Sequence, residues 1–96
     1  MPFFIPMYDL INNIEKQQYE FHIEGHLAKL EYKMRDNKIL LIHTEVPHEI
    51  GGRGIAAQLV ESVFKDIRAR GLKMAPYCPY VKAYLKRNPE WEILLG

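Results

Sequence analysis

The segment from Lys38 to Arg70 constrains the fold most, because a strand pattern, a glycine-rich bend and a helix pattern follow one another within it. Residues 38–46 begin with a continuous apolar run, which is typical of a central strand covered on both faces. Apolar residues then recur at helical spacing from about Arg53 to Arg70, and Gly71 gives a natural helix end. A strand that passes through glycines into a helix predicts a mixed α/β fold.

The patterns before this segment indicate antiparallel strands. Residues 18–24 and 27–35 alternate between apolar and polar side chains, as half-buried strands do. Turns are expected at Gly25 and at Asp36-Asn37, which separate the alternating runs. A shorter first strand is expected at residues 11–15.

The patterns after the long helix predict one more strand and one more helix. Residues 72–75 are long enough for a short strand. A second helix is expected to start near Cys78, with Pro79 in its first turn, and to end at Asn88-Pro89. The predicted fold class is therefore α/β (α+β), with an antiparallel meander, a strand–helix–strand unit and a short carboxy-terminal helix around a mixed sheet.

Composition narrows the possible classes of protein. The chain has 96 residues, which predicts a single domain over residues 1–96. Thirteen Lys and Arg against twelve Asp and Glu leave a net charge of +1, which argues against a nucleic-acid partner. Cys78 is the single cysteine, so no internal disulfide is possible.

Targeting features also bear on the expected location. No apolar run approaches the ~18 residues of a membrane helix, so no membrane association is expected. The first ten residues, MPFFIPMYDL, lack a basic region and contain two prolines, which is unlike a signal peptide. The expected location is therefore the cytoplasm.

The glycine-rich bend at residues 51–56 has two physical interpretations. The amides at the start of a helix point outward without partners, and the helix dipole favours a negative group there, so the bend suits an anion such as a phosphate. A tight structural turn explains the glycines equally well. The bend is neither a Walker loop nor a dinucleotide fingerprint, because the Lys-Ser/Thr and the G-x-G-x-x-G spacing are missing.

Three segments together resemble a known family. They are residues 43–47 (HTEVP), residues 51–60 (GGRGIAAQLV) and residues 71–91 (GLKMAPYCPYVKAYLKRNPEW). Their joint occurrence at this spacing is similar to the GNAT superfamily of N-acetyltransferases, and more narrowly to its small single-domain YjdJ-like branch. The resemblance runs from about His43 to Trp91.

The resemblance implies that acetyl-coenzyme A is the co-substrate. The pantetheine arm would pair with the strand backbone near Glu45 and Val46. At Gly51 the superfamily usually has Gln or Arg, so one loop contact is expected to be weaker here. The pyrophosphate would bind to the amides of Gly52, Arg53, Gly54, Ile55 and Ala56.

The resemblance also places Arg87 and Asn88 facing the coenzyme, where a cation can meet a phosphate. Ordinary surface charge is the alternative for this part of the last helix, which also carries Lys82 and Lys86. Both interpretations stay open on the sequence alone.

Candidate catalytic residues fall on the same segments. A base within reach helps an amine attack in its neutral form, and Glu45 or His43 would supply it. Tyr84 or Tyr80 would protonate the departing thiolate, although both also belong to the apolar stripe of their helix. Cys78 is expected at a helix start, which favours a reactive thiol. It would either accept the acetyl group covalently or only line the site.

The expected function is an acetyl-coenzyme A-dependent N-acetyltransferase acting on an amine of a small molecule or of a protein. The alternative is a non-catalytic module on the same fold that binds coenzyme A or a partner. His22, His26 and His48 show no metal-ligand spacing with cysteines or carboxylates, so no metal is assigned. The oligomeric state is not predicted.

Overall fold

A computed structural model describes residues 7–96, so the first six residues of the amino-terminal segment discussed above lie outside the described part. One sheet contains five strands in the order β1-β2-β3-β4-β5. The first four pair antiparallel, and β5 pairs parallel with β4. The predicted meander and strand–helix–strand unit are thus confirmed. The strands are β1 Ile11–Asn13, β2 Gln18–Ile23, β3 His26–Arg35, β4 Lys38–Glu45 and β5 Lys73–Pro76.

Two α-helices follow the patterns that predicted them. Helix α1 (Ile55–Ala69) begins two residues later than expected, because Gly54 is its N-cap and has a left-handed backbone. Helix α2 (Pro79–Arg87) has proline in its first turn, as predicted. Short 3-10 helices cover His48–Ile50 and Pro89–Leu94. Neither α-helix is long and apolar enough to cross a membrane, and this holds for all helices within residues 7–96.

Both α-helices pack on the same face of the sheet, here called the inner face. Trp91 closes one edge of this core, with its ring centroid 5.6 Å from that of Phe64. Trp91 is only 8% exposed and therefore covers a core edge. The sheet residues of the inner face are Tyr19, Phe21, Ile23, Ala28, Leu30, Tyr32, Ile39 and Leu41, and α1 adds Leu59, Val60, Val63, Phe64 and Ile67.

A β-bulge in β4 determines the direction of the side chains at its end. Tyr32 of β3 pairs with Leu41, but the preceding residue, Glu31, pairs with His43. Ile42 is therefore the extra residue, and it shifts the alternation by one position. The side chain of Ile42 is 36% exposed, so the prediction that both faces of this strand are covered is wrong at its end.

The bulge separates the last three residues of β4 between two faces. Thr44 pairs with Leu30 and so lies on the inner face. The neighbouring side chains point away from the helices, toward what we call the outer face. That face carries Gln18, Glu20, Lys29, Glu31, His43 and Glu45.

Strands β4 and β5 separate after a short parallel ladder. The ladder joins Lys38–Leu41 to Lys73–Pro76, while β4 continues to Glu45. The carbonyl of Leu41 accepts hydrogen bonds from the amides of Tyr77 and Cys78, each at 2.9 Å, where the chain turns into α2. Beyond Leu41, β4 therefore has β3 on one side and the start of α2 on the other.

Candidate functional site

The glycine-rich turn before α1 depends on two left-handed residues. Gly52 has φ = 74° and Gly54 has φ = 71°. A Cβ atom at either position would meet nothing within 4 Å, so the backbone conformation and not the space requires glycine. The N-cap makes no side-chain hydrogen bond, and the first turn of α1 has no acidic residue. The outward amides of this turn are therefore suited to a negatively charged ligand.

Gly51 differs from the other two glycines of the turn. Its backbone is extended, and its amide donates a hydrogen bond to the carbonyl of His48 at 3.0 Å. A Cβ atom there would lie 3.2 Å from the same oxygen. The turn itself thus uses the amide of Gly51, and a ligand could receive that hydrogen bond only if the His48 contact opened.

The Arg53 side chain points toward the β2–β3 turn. Its Nη1 and Nη2 atoms donate to the two carboxylate oxygens of Glu24, at 2.6 and 3.0 Å. This ion pair holds the pKa of Glu24 below its ordinary value and raises that of Arg53. This contact could not be predicted from sequence patterns, because 29 residues separate the two partners.

A groove of about 330 Å³ lies between α1 and α2. The small side chains of Ala57 and Ala83 leave room for it. Asn88 caps α2 by donating a hydrogen bond from Nδ2 to the carbonyl of Tyr84 at 3.0 Å. Arg87 is the cation that lines the groove. Tyr80 completes the lining. The structure thus brings together three residues that the sequence assigned to the site, namely Tyr84, Arg87 and Asn88.

Tyr84 lies between this groove and the core. Its ring meets that of Phe64 edge to face, with centroids 5.6 Å apart. The pKa of the Tyr84 hydroxyl is raised, mainly by burial and to a smaller extent by the negative charges of Glu61 and Glu90. Tyr84 therefore stays protonated at neutral pH, as a proton donor must. Burial also raises the pKa of Tyr80, which is the more exposed of the two tyrosines.

Cys78 is the N-cap of α2 and is only 2% exposed. Its Sγ atom lies 3.3 Å from Oγ1 of Thr44 on β4. Thr44 was not predicted to lie at the site, because the bulge that directs its side chain to the inner face cannot be recognised from the sequence. The Cys78 thiol thus lies beside the end of β4, where β5 has separated from it.

His43 and Glu45 lie together on the outer face, with His43 Nε2 3.4 Å from Glu45 Oε1. Their side chains are 53% and 60% exposed. They point away from Cys78 and Tyr84, so the end of β4 lies between the two pairs of candidates. Within residues 7–96, no three His, Cys, Asp or Glu side chains gather to hold a metal ion. An imidazole and a carboxylate can each accept a proton from a nearby amine.

A buried carboxylate on the outer face was also missed from the sequence. Glu20 is only 5% exposed, and its Oε2 atom accepts hydrogen bonds from Asn13 and Gln18. His22 Nε2 lies 2.8 Å from Oε1. Both carboxylate oxygens are therefore satisfied within the sheet, which indicates a structural role.

Comparison with known proteins gives a family and several relatives. Residues 18–94 match the GCN5-related N-acetyl-transferase family. The chain is 33% identical over 78 residues to mouse Protein NATD1, covering 78% of this chain and 71% of that protein. It is 34% identical over 77 residues to human Protein NATD1, covering 77% and 68% respectively.

A solved structure shows the same fold. The solution structure of a GCN5-like protein from Staphylococcus aureus superimposes with a TM-score of 0.71. The superposition covers 93% of this chain and 88% of the other, at 23% sequence identity. The likeness therefore extends across the sheet and both helices.

Proposed function

The chain belongs to the GCN5-related N-acetyltransferase family, and we propose that it transfers the acetyl group of acetyl-coenzyme A to an amine. The observation that carries this proposal is the arrangement of the glycine-rich turn beside the groove between α1 and α2. The turn offers outward amides, and the groove has Arg87 at its wall. Together they suit a long ligand that carries phosphates at one end.

The coenzyme's phosphates would lie on the turn, because amides there are free of a side-chain cap. Arg87 and Asn88 would border the coenzyme in the groove. The pantetheine arm would follow the edge of β4 near Glu45 and Val46, which β5 leaves after Leu41. The turn residues assigned to the pyrophosphate are Gly52, Arg53, Gly54, Ile55 and Ala56, with Gly51 at their edge.

The reaction that we propose is direct transfer. The amine nitrogen attacks the thioester carbonyl, a carbon–nitrogen bond forms, and the carbon–sulfur bond breaks. Glu45 or His43 takes the proton from the amine, directly or through water, and Tyr84 donates a proton to the departing thiolate. The ordinary pKa of tyrosine is about 10, and burial raises the pKa of Tyr84 further, so its hydroxyl carries the proton at neutral pH.

The two faces of β4 divide the roles. Tyr84 and Cys78 lie on the side of the helices, and His43 and Glu45 lie on the outer face. The coenzyme would therefore enter from the helix side and the amine from the outer face, so that they meet at the end of β4. Because His43 and Glu45 are exposed, the amine of either a small molecule or a protein can reach them.

Cys78 is proposed to line the site without forming a bond to the acetyl group. Its thiol is almost wholly buried and contacts Thr44, so it packs as a small side chain beside the proposed path of the thioester. The covalent role stays the alternative, and it is tested below. The YjdJ-like branch and the cytoplasmic location stay predictions.

Thermal unfolding with coenzyme A, acetyl-coenzyme A and ATP in parallel tests the binding step. A ligand at about 100 times its Kd adds about 2.7 kcal/mol to the free energy of unfolding. For a domain of this size the Tm should then rise by roughly 10 °C or more. We expect this rise with both coenzyme A forms and not with ATP. No rise with any of them would overturn the proposed site.

Turnover separates an enzyme from a binding module. Release of free coenzyme A is followed with a panel of primary amines and amine-bearing peptides, against the uncatalysed rate. We expect catalysed release with at least one acceptor, and release about 10²-fold slower in Tyr84→Phe. Coenzyme binding without any catalysed release would favour the non-catalytic module.

A further inference from the structure

The Glu24–Arg53 ion pair joins the glycine-rich turn at residues 51–56, here called the phosphate-binding turn, to the β2–β3 turn. Glu24 has φ = 51°, a left-handed conformation that is uncommon for a residue with a Cβ atom. Glycine or asparagine would adopt it at a lower cost. We therefore infer that the side chain of Glu24 has a function that glycine or asparagine could not supply. Within residues 7–96, the only hydrogen bonds of that side chain are those it accepts from Arg53.

Arg53 lies in the middle of the glycine-rich turn. It lies between Gly52 and Gly54, both left-handed, and glycines give a turn wide conformational freedom. A bidentate contact fixes the guanidinium in both position and orientation. Because Glu24 belongs to a tight turn between two paired strands, the contact ties the middle of the phosphate-binding turn to the sheet.

The ion pair is too exposed to serve the stability of the whole protein. The Arg53 and Glu24 side chains are 40% and 63% exposed, and exposed pairs add little to the free energy of unfolding. Its effect is local, on the turn that it holds. A preorganised turn loses less conformational freedom when a ligand binds, and the ligand binds more tightly as a result.

We propose that Glu24 is a positioning residue for coenzyme binding, holding Arg53 and the neighbouring amides in the arrangement that receives the phosphates. This inference rests on the proposed function. In this arrangement Arg53 acts through its backbone amide, and Glu24 fixes its guanidinium at the β2–β3 turn through two of its five N–H groups. Glu24 touches neither the coenzyme nor the amine.

Calorimetric titration with coenzyme A compares wild type with Glu24→Gln. We expect Kd to rise roughly two- to fivefold, the range that coupling within an exposed ion pair spans. Asp66→Asn is the matched control, because Asp66 forms a partly exposed pair with Arg70 near the carboxy-terminal end of α1, outside the turn and the groove. Its Kd should not change.

The outcomes are distinct. An unchanged Kd in Glu24→Gln would overturn the inference and leave the proposed function intact. A lower Kd would also overturn it, because Glu24 would then compete with the phosphates for Arg53. Failure of wild type to bind coenzyme A would overturn the proposed function itself, and this inference with it.

A substrate without phosphates distinguishes positioning from general damage to the fold. With S-acetylpantetheine as the acetyl donor, Glu24→Gln should match wild type in KM and kcat, whereas with acetyl-coenzyme A only KM should rise. Equal losses of kcat/KM with both donors would indicate a structural defect and would overturn the positioning role of Glu24. The double variant Glu24→Arg/Arg53→Glu should restore most of the affinity, and failure to restore it would mean that the Arg53 side chain itself meets the phosphates.

Discussion

Thr44 Oγ1 lies 3.3 Å from Cys78 Sγ, at the point where β4 and β5 separate. One residue ends a strand and the other begins a helix, so the contact fixes the thiol beside the free end of β4. The contact exists because the bulge at Ile42 directs Thr44 inward. The proposed site for the thioester thus depends on an irregularity in the sheet.

Cys78→Ala tests whether the thiol carries the acetyl group. A buried thiol that only lines the site can be shortened at small cost, so we expect kcat to stay within about tenfold of wild type; loss of a covalent nucleophile costs on the order of 10⁶-fold. Intact-protein mass spectrometry after mixing with acetyl-coenzyme A, without acceptor, should show no added acetyl group. An acetyl adduct on wild type that is missing from Cys78→Ala, together with loss of turnover, would contradict this prediction.

Gly54→Ala tests the backbone of the glycine-rich turn that we propose binds the phosphates. The left-handed conformation costs a residue with a Cβ atom about 1–2 kcal/mol, so the variant should be destabilised or the turn should shift. If the turn shifts, binding must restore it, which corresponds to roughly a 5- to 30-fold rise in Kd for coenzyme A. Calorimetric titration measures this change.

Gly71→Ala is the matched control for that substitution. Gly71 follows α1, has φ = 67°, and also has nothing within 4 Å of an added Cβ atom. The two variants therefore share the same strain in the same kind of free space. Only Gly54→Ala should weaken coenzyme binding, while both should lower Tm. Equal Kd values in the two variants would argue against phosphate binding at the turn.

Tyr84→Phe tests the proposed role of Tyr84 as the proton donor. Removing the hydroxyl while keeping the ring should leave the packing on Phe64 intact and lower kcat by about 10²-fold, the lower end of what acid–base catalysis contributes. Because burial raises the pKa of Tyr84, the wild-type rate should not fall from its ionisation until above about pH 10. Steady-state kinetics across pH checks both points, with Tyr80→Phe for comparison. A larger loss in Tyr80→Phe would move the role to Tyr80.

The sequence was sufficient for the order and type of the main elements. Alternation over residues 18–24 and 27–35, and helical spacing over residues 53–70, are local patterns that reflect burial directly. We predicted that β4 is covered on both faces, and this prediction was wrong at Ile42. The reason is that a β-bulge in β4 depends on how β3 pairs with β4. Pairing is a non-local property, which single-strand patterns do not contain.

The site was predicted unevenly for the same reason. Glycines and a helix start are adjacent in sequence, so the turn at residues 51–56 could be located. The contacts of Arg53 with Glu24 and of Thr44 with Cys78 join positions 29 and 34 residues apart. Side chains that meet only after folding leave no spacing signal. The opposite faces taken by His43 and Tyr84 likewise follow from the folded sheet.

We expect the lowered pKa of Glu20 to make the protein less stable in acid. Burial alone would raise its pKa, but hydrogen bonds from His22, Gln18 and Asn13 outweigh burial and hold the pKa below its ordinary value. A carboxyl group with a lowered pKa in the folded state stabilises the protein above its unfolded pKa of about 4.3. This contribution should disappear as the pH falls from about 4.3 through the folded value.

Glu20→Gln should remove this dependence. The variant loses a charged acceptor, so its free energy of unfolding at pH 7 should fall by about 1.5–3 kcal/mol. Its stability should then change less than that of wild type between about pH 5 and pH 2. Urea unfolding at a series of pH values measures both effects. Glu15→Gln, at an exposed position between β1 and β2, is the control and should follow wild type. Parallel curves for Glu20→Gln and wild type across this range would show that other carboxylates govern the acid transition.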